Sequence, residues 1–386
     1  INFMNKFYKK EQKLDILFIC NSLDLGGAEK ILYEIIKDIT LYKKEIICLT
    51  GKGYYSKLLE NEGIKITYCN LQKNLFDFLK IIKIYRFILN KEPKVIHSFL
   101  YHSDVIASIL GKLTFTKKII WSVHHDFIKS DNTFLRNTQV RFLSIISNFL
   151  PNKIIYCSKE SLENHVKIGY SKNKSIVINN GICTKKFNPR KRNYFKIRKL
   201  LGIKKDSFLI GHIARFHPDK GHNILLKSLK LLKKGHENFK CLMIGTNVDK
   251  KNIKLNKKIK NNNLEDNIIL YGETKFPQNL INAFDINVIS SISESSSLVL
   301  LEAMASGVPT LSTNVGEIRK IIGKSGWIVK NKSSKELAEK LKFIIKNNYT
   351  LKEKSLLTRK IILKKYSKSE MLKKYNLTYN LYLNKK

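Results

Sequence analysis

The chain is poor in acidic residues and in cysteine, and it contains no long hydrophobic run. Its 386 residues include 31 Asp or Glu against 72 Lys or Arg, a formal charge of +41. Because no stretch of about 18 apolar residues occurs, we expect no membrane-spanning helix. The six cysteines include no CxxC pair, which argues against a zinc site and favours a reducing compartment. No signal-peptide pattern opens the chain, so the sequence predicts a cytoplasmic protein.

The excess of basic residues predicts attraction to anionic surfaces. A protein this basic associates with nucleic acid or acidic lipid, and does so more weakly in high salt. No nucleic-acid module and no interleaving of aromatic with basic residues occurs, so we expect no specific nucleic acid as a partner. The charge favours peripheral binding at the anionic inner face of the cell membrane. A basic nucleic-acid or membrane-binding module with a degenerate site is an alternative interpretation.

Strand-like and helix-like segments alternate along the chain. Leu14–Cys20 is a short apolar run, and Gly26 and Gly27 separate it from helical periodicity over Ala28–Ile39. Repeated alternation of this kind, in a chain long enough for two cores, predicts two α/β domains with parallel sheets. The basic segment Thr184–Arg192, which contains a proline, predicts the boundary between them. We therefore expect domains at residues 1–190 and 191–365, followed by a helical segment at 366–386.

Histidines follow two predicted strands of the first half. His97 ends one strand, and His124, His125 and Asp126 end another. Ligands of parallel α/β sheets bind beyond the carboxyl ends of the strands, so these side chains are candidates for a site. Asp126 either orients an imidazole through its N–H or caps the following turn. The spacing leaves these alternatives open.

Two cations follow a predicted strand of the second half. The strand Phe208–Ala214 leads to Arg215, and Lys220 precedes Gly221 at the start of a helix. A planar guanidinium and a compact ammonium are a suitable pair for binding a diphosphate. In a chain this basic, two further cations can equally be solvated surface residues.

A Ser-rich turn and an apolar helix occupy residues 291–309. Glu294 precedes the helix, which begins near Leu298, and Glu302 lies one turn inside it on the buried side. Backbone N–H groups at a helix N-terminus favour anions, so the segment predicts a phosphate site between the two carboxylates. The alternative is a surface helix with two solvated glutamates.

The sequence S-E-S-S-S-L-V-L-L-E-A-M-A-S-G-V-P-T, residues 293–310, resembles the signature of the family 4 retaining glycosyltransferases. W-S-V-H-H-D at 121–126 and the Arg215 to Gly221 loop resemble other motifs of that family. The resemblance implies the GT-B fold, in which two Rossmann-like, doubly wound domains face a cleft and the C-terminal helix crosses back onto the N-terminal domain. Two positions depart from the family pattern: Cys183 stands where Asp is common, and Asn247 where a second glycine is usual.

The resemblance also implies a reaction and its residues. It implies retaining transfer of a sugar from a nucleotide-sugar, with UDP or GDP as the expected nucleotide, to a glycan or lipid-linked acceptor in bacterial surface polysaccharide or lipopolysaccharide synthesis. No metal and no bound cofactor are expected. A nucleotide-sugar epimerase or a phosphorylase of the same fold is the alternative. The implied catalytic residues are Glu294, Arg215, Lys220 and His124, with His125 as the second choice for the histidine. The implied nucleotide-sugar contacts are Glu302 at the ribose, together with Gly245, Tyr271, Gly272, Ser296, Ser297, Leu298, Gly26 and Gly27.

Overall fold

The computed structural model describes residues 13–72, 77–124, 134–294 and 297–383, with the backbone alone at 134–137 and 191–192. The chain divides into two compact units. The first unit comprises Ile1–Asn180 and Met371–Lys386, and the second comprises Gly181–Glu370. Among the described helices, none combines the length and the apolar character needed to cross a bilayer.

The first unit is built on a parallel sheet with helices connecting its strands. In the described residues its strands are β1 (Ile16–Cys20), β2 (Lys44–Cys48), β3 (Ile66–Tyr68), β4 (Val95–Phe99), β5 (Lys118–Val123), β6 (Lys153–Tyr156) and β7 (Ser175–Val177). The connecting helices are α1 (Gly27–Asp38), α2 (Tyr54–Asn61), α3 (Asp77–Lys91), α4 (Tyr101–Leu113), α5 (Phe134–Ile146) and α6 (Lys159–Lys167).

The strand order of this sheet is β3-β2-β1-β4-β5-β6-β7, so the direction of winding reverses between β1 and β4. All five residues of β1 are buried, as are all five of β4. Strands covered on both faces read as continuous apolar runs rather than as alternating patterns, which is why Leu14–Cys20 could be recognised as a strand. The C-terminal edge at the β1–β4 reversal is the expected place for a ligand in this unit.

The second unit repeats this architecture. Its strands are β8 (Phe208–Ile213), β9 (Phe239–Ile244), β10 (Ile268–Gly272), β11 (Ile286–Ile289), β12 (Thr310–Thr313) and β13 (Trp327–Val329), in the order β10-β9-β8-β11-β12-β13 within the described residues. Its helices are α7 (Lys191–Leu200), α8 (His222–Lys233), α9 (Ile253–Lys260), α10 (Pro277–Ile281), α11 (Leu298–Ala305), α12 (Ile318–Ile322), α13 (Ser334–Lys346) and α14 (Thr350–Lys365). The sheet is again parallel and reverses between β8 and β11.

The segment 184–192, taken from the sequence as the boundary, belongs to the second unit. The guanidinium of Arg359, on α14, donates to the carbonyl oxygens of Thr184, Phe187 and Ala305. Three carbonyls that share one planar donor group are held in fixed relative positions. The segment is therefore fastened to the end of α11 by side-chain hydrogen bonds.

The last helix, α15 (Lys368–Leu383), packs on the sheet of the first unit. The OH of Tyr379 lies 2.6 Å from Nδ1 of His97, and Oγ of Ser122 lies 2.8 Å from Nε2. His97 is fully buried, and this desolvation lowers its pKa to about 3, so the imidazole is neutral. The interpretation of His97 as a strand-end ligand is wrong, because β4 continues to Phe99 and the side chain joins α15 to the sheet.

Candidate active site

The reversal between β8 and β11 lies beneath two loops that carry the two predicted cations and one of the predicted carboxylates. Arg215 to Gly221 follow β8, Ser290 to Glu294 follow β11, and Ser297 directly precedes α11. Neighbouring parallel strands end at the same edge of the sheet, so the two loops meet there. This is the crevice in which doubly wound sheets bind their ligands.

Lys220 and Glu294 form an ion pair across the two loops. Nζ of Lys220 lies 2.7 Å from Oε1 of Glu294, and the side chains are 24% and 12% exposed. Oγ of Ser291 donates to the same carboxylate oxygen at 2.8 Å. The ammonium and the carboxylate are therefore held in place at the mouth of the crevice, largely out of solvent.

Two further hydrogen bonds join the loops, and a third joins one loop to β12. The N–H of Ile292 donates to the carbonyl of Asp219 at 2.7 Å, and Oγ of Ser290 donates to the carbonyl of Lys220 at 3.0 Å. Oγ1 of Thr313, on β12, donates to the carbonyl of Ser291 at 2.6 Å. The predictions from sequence did not name Ser290 or Ser291 as site residues. Their signal was a pair of serines directly after a strand at the predicted ligand edge.

Gly221 is required by the close approach of the loops. Its φ is +65°, a left-handed conformation, and a Cβ at this position would lie 1.9 Å from the carbonyl oxygen of Ser290. A side chain would therefore push apart the two loops that form the Lys220–Glu294 pair. The sequence motif contains glycine here because only glycine fits.

The ends of β8, β9 and β10 meet on the other side of β8. Arg215 is exposed just beyond β8, and a Cβ on Gly245 would lie 2.2 Å from the carbonyl oxygen of Ala214. The N–H of Gly245 donates to the carbonyl of Gly272 at 2.9 Å, and the neighbouring Tyr271 is 44% exposed. The structure thus gathers three predicted positions beside the strand end that leads into Arg215.

Asn247 occupies the position where the family usually has a second glycine. Its φ is +59°, so the left-handed conformation is kept without glycine. Asparagine tolerates this region better than most residues because its short polar side chain bonds locally. The departure from the family motif therefore leaves the backbone of this turn in the conformation that glycine would favour.

Helix α11 places the second glutamate. Ser297 caps the helix, with its Oγ accepting from the N–H of Leu300 at 3.4 Å, and Leu298 is the first helical residue. Glu302 lies one turn further on and is 5% exposed, on the buried side as the periodicity predicted. Ser296 lies outside the described residues. Lys220 and Glu294 are thus joined directly, and Ser297, Leu298 and Glu302 follow on the next element of the same edge.

Two buried histidines lie behind the cationic loop and were not predicted. The rings of His212 and His222 are 5.0 Å apart, and Nδ1 of His212 donates to the carbonyl of Val288 at 2.9 Å. Desolvation lowers the pKa of His212 to about 4 and that of His222 to about 3. Both rings are neutral at physiological pH, so they add no cation behind Lys220.

The remaining predicted residues belong to the first unit. Gly26 caps α1, of which Gly27 is the first residue, and His124 follows β5. The His124 ring is buried and stacks on Phe99 at 5.4 Å between centroids. Phe99 also lines a small hollow with Ala28 and Glu29, so it connects the histidine to the glycine turn. His125 and Asp126 lie outside the described residues.

Acidic and metal-binding side chains do not cluster in the described part of the chain. No group of three or more His, Cys, Asp or Glu residues there has a geometry that could hold a metal ion. All six cysteines are free thiols, and Cys20, Cys48, Cys157 and Cys241 are buried, as expected of thiols in apolar strands.

Comparison with known proteins identifies the family. A model described as glycosyltransferase family 4 matches residues 25–186, and one described as glycosyl transferases group 1 matches residues 193–360. The chain is 22% identical over 252 residues to the UDP-Gal:alpha-D-GlcNAc-diphosphoundecaprenol alpha-1,3-galactosyltransferase of Escherichia coli, covering 64% of this chain and 65% of that protein. It is 25% identical over 318 residues to the capsular polysaccharide biosynthesis glycosyltransferase CapM of Staphylococcus aureus, covering 80% and 82%.

A solved structure has the same fold. HepE from Anabaena, crystallised with UDP-glucose, superposes with a TM-score of 0.85 at 20% identity, over 95% of this chain and all of that one. The family models match a large part of each unit, and the fold of two parallel-sheet Rossmann-like domains agrees with them. The chain belongs to glycosyltransferase family 4 and has the GT-B fold.

Proposed function

We propose that the protein is a retaining glycosyltransferase that moves a hexose-type sugar from a nucleotide-sugar to a glycan or lipid-linked acceptor of a bacterial surface polysaccharide. The observation that carries the proposal is the Lys220–Glu294 pair, at 2.7 Å across the strand reversal of the second unit. A fixed cation and a fixed carboxylate at one edge suit a ligand with a diphosphate and a hydroxyl-bearing ring.

The cations match the charge that develops during transfer. When the anomeric C–O bond breaks, the electron pair leaves with the nucleoside diphosphate, and negative charge grows on its departing oxygen. The Lys220 ammonium and the Arg215 guanidinium would stabilise this charge, with help from N–H groups at the start of α11. In this proposal the cations do the work of a metal ion, so transfer should persist in a chelator.

Glu294 would orient the donor sugar. Lys220 and Ser291 both donate hydrogen bonds to its Oε1. In this proposal Oε2 accepts hydrogen bonds from the hydroxyls of the donor sugar. The carboxylate needs no nucleophilic role in this scheme.

The nucleotide would bind along the rest of the edge. Glu302 would accept hydrogen bonds from the ribose hydroxyls, and the backbone near Gly245 and Gly272, with the Tyr271 side chain, would lie against the base. In the first unit, His124 would contact the sugar, and the turn at Gly26 and Gly27 would approach the phosphates or the acceptor. These assignments follow the family motif.

The relatives favour UDP as the nucleotide and a surface glycan as the product. The Escherichia coli relative is named for a UDP-galactose donor and a lipid-linked acceptor, and HepE was crystallised with UDP-glucose. CapM is named for capsular polysaccharide biosynthesis. We therefore place a UDP-sugar first among the donors.

The proposal is tested with a panel of UDP-, GDP-, dTDP- and ADP-sugars. A bound donor stabilises the folded protein by mass action, so the true donor raises the melting temperature most. Glu302→Ala should weaken binding of the nucleotide in calorimetry, with Glu336→Ala on α13 as the control. Proton NMR of the product then reports the anomeric configuration, and an inverted product would overturn the retaining assignment. Release of free nucleotide without acceptor, or cleavage that requires phosphate, would instead indicate an epimerase or a phosphorylase.

A further inference from the structure

Exposed apolar side chains collect at the edge of the first unit where β4, β5 and β6 begin. We define the docking face as Leu89, Leu113, Phe115, Ile145, Phe149 and Leu381, which are between 42% and 90% exposed. They come from the C-terminal ends of α3, α4, α5 and α15 and from the turns that follow α4 and α5. This edge is opposite the C-terminal strand ends that carry His124 and the Gly26 turn.

Three members of the docking face lie side by side. Leu89, Phe115 and Leu381 line one groove of about 910 Å³. Phe115 and Phe149 lie shortly before β5 and β6, which are paired neighbours. Asn152 joins the two strand starts, because its N–H donates to the carbonyl of Ile119 at 2.8 Å and its Oδ1 accepts from the N–H of Ile119 at 2.9 Å.

Phe115 has an unusual backbone conformation for its size. It lies two residues beyond the end of α4 with φ of +54°. Its N–H donates to the carbonyl of Lys112, and the N–H of Thr116 donates to the carbonyl of Gly111. This is the Schellman pattern of a helix end, in which glycine is preferred at the left-handed position. Here the position holds a phenyl ring that is 90% exposed. The ring contributes little to packing, so its presence points to a role outside the unit.

The charge around the docking face is mainly positive. Lys13 and Lys118 line its groove together with one acidic residue, Glu92, which is paired with Lys13. Lys112, Lys117 and Arg141 are exposed beside it. The sequence has no acidic residue from 105 to 118 or from 134 to 153. The ammonium of Lys118 lies 5.4 Å from the centroid of the Tyr382 ring. An apolar centre with a mainly basic border is complementary to a surface with a negative headgroup layer over hydrocarbon.

We propose that the docking face binds the surface of an anionic lipid bilayer, with Phe115 and Phe149 inserted at the level of the headgroups. Leu, Ile and Phe side chains gain from entering hydrocarbon, whereas binding to a nucleic-acid backbone would use only the cations. A second copy of the chain would bring a like-charged border against this one. The inference goes beyond the transfer reaction and does not depend on the identity of the donor.

The test is co-sedimentation of the full chain with vesicles of phosphatidylglycerol and phosphatidylcholine, and with vesicles of phosphatidylcholine alone. The double variant Phe115→Asn/Phe149→Ser should bind the anionic vesicles at least about tenfold more weakly. Neutralising Lys112 and Lys117 should weaken binding to the anionic vesicles about fivefold for each charge removed. Asparagine suits the left-handed position, so Phe115→Asn should not lower the melting temperature.

The matched control lies on α7 of the second unit. Phe195 and Leu200 are 65% and 70% exposed beside the exposed Lys196 and Lys199, so Phe195→Ser/Leu200→Ser removes as much apolar surface in a similarly basic place. This control should bind vesicles like the wild type. Equal loss in both variants, or none in the docking variant, would overturn the proposal. The proposal would also be overturned if the docking variant kept its binding to vesicles but lost binding to duplex DNA. Loss of self-association in sedimentation velocity, with vesicle binding kept, would overturn it too. Transfer to a water-soluble acceptor should be unchanged.

Discussion

Nζ of Lys220 lies 2.7 Å from Oε1 of Glu294, although the two residues are 74 positions apart in the sequence. The contact exists because β8 and β11 are neighbours at the reversal of the sheet. The cation is held by a partner and by a loop that is itself bonded to Ser290 and Ile292. A group fixed before its ligand arrives needs little reorganisation when charge develops, which is the condition for strong electrostatic catalysis.

Replacing Lys220 tests this arrangement directly. Lys220→Ala should lower kcat by about a hundred- to a thousand-fold, the usual effect of removing one well-placed donor. Its melting temperature should change little, since Glu294 keeps its hydrogen bond from Ser291. The control is Lys227→Ala, at an exposed position of α8 in the same unit. Steady-state kinetics of sugar transfer measure kcat for both variants. A kcat near that of the control would show that Lys220 does not take part in the reaction.

Ser291 should act through Glu294 as a positioning residue. Ser291→Ala removes one hydrogen bond to a charged group and should reduce kcat about tenfold. Ser228→Ala is the matched control, because Ser228 is equally buried but its Oγ donates to the carbonyl of Leu225. Threonine at position 291 should restore part of the rate. An effect on melting temperature alone, with kcat intact, would show that Ser291 is only structural.

Gly221 and Gly202 provide a comparison at one backbone conformation. Both have φ of +65°, but a Cβ on Gly202 would meet nothing within 4 Å, whereas one on Gly221 would meet the Ser290 carbonyl at 1.9 Å. Gly202→Ala should cost about 1–2 kcal/mol of unfolding free energy from the conformation alone. Gly221→Ala should cost clearly more and should also reduce transfer. Chemical denaturation measures both, and equal costs would mean that the loops separate freely.

Asp104, on α4, is a buried carboxyl whose protonation should govern part of the pH dependence of stability. Ser98 donates to its Oδ1 at 2.6 Å, and burial raises its pKa well above the ordinary value. A raised folded-state pKa stabilises the protein fully below the unfolded pKa of about 3.9, and this stability is lost as pH rises through the folded pKa.

Asp104→Asn keeps a neutral group of the same shape at this position. Its stability relative to the wild type should therefore increase with pH, by up to about 1.4 kcal/mol per pH unit between the unfolded-state and folded-state pKa values of Asp104. Denaturant midpoints at a series of pH values measure this, with Asp266→Asn at an exposed position as the control. Parallel curves for Asp104→Asn and the wild type would mean that the buried carboxylate stays ionised.

Much of the fold was readable from local pattern. The apolar run Leu14–Cys20 became β1 because a strand covered on both faces needs no alternation. The serines before Leu298 and the glycine at 307 marked α11, since capping and stop signals act within one turn. Helices α9, α13 and α14 were not predicted. Yet α13 buries Leu337, Ala338, Leu341 and Ile344 at helical spacing, so its signal was present.

By itself the sequence determined the alternation of strands and helices over most of the chain and the residue types of the site, because these depend on neighbours along the chain. Only the tertiary structure decided what each polar group meets. It placed His97 against Tyr379, 282 positions away, and Glu294 against Lys220. It also left the Phe115 ring outside the core. Such partners are set by strand order and by the approach of whole elements, and no spacing within the chain encodes a distance between side chains that far apart.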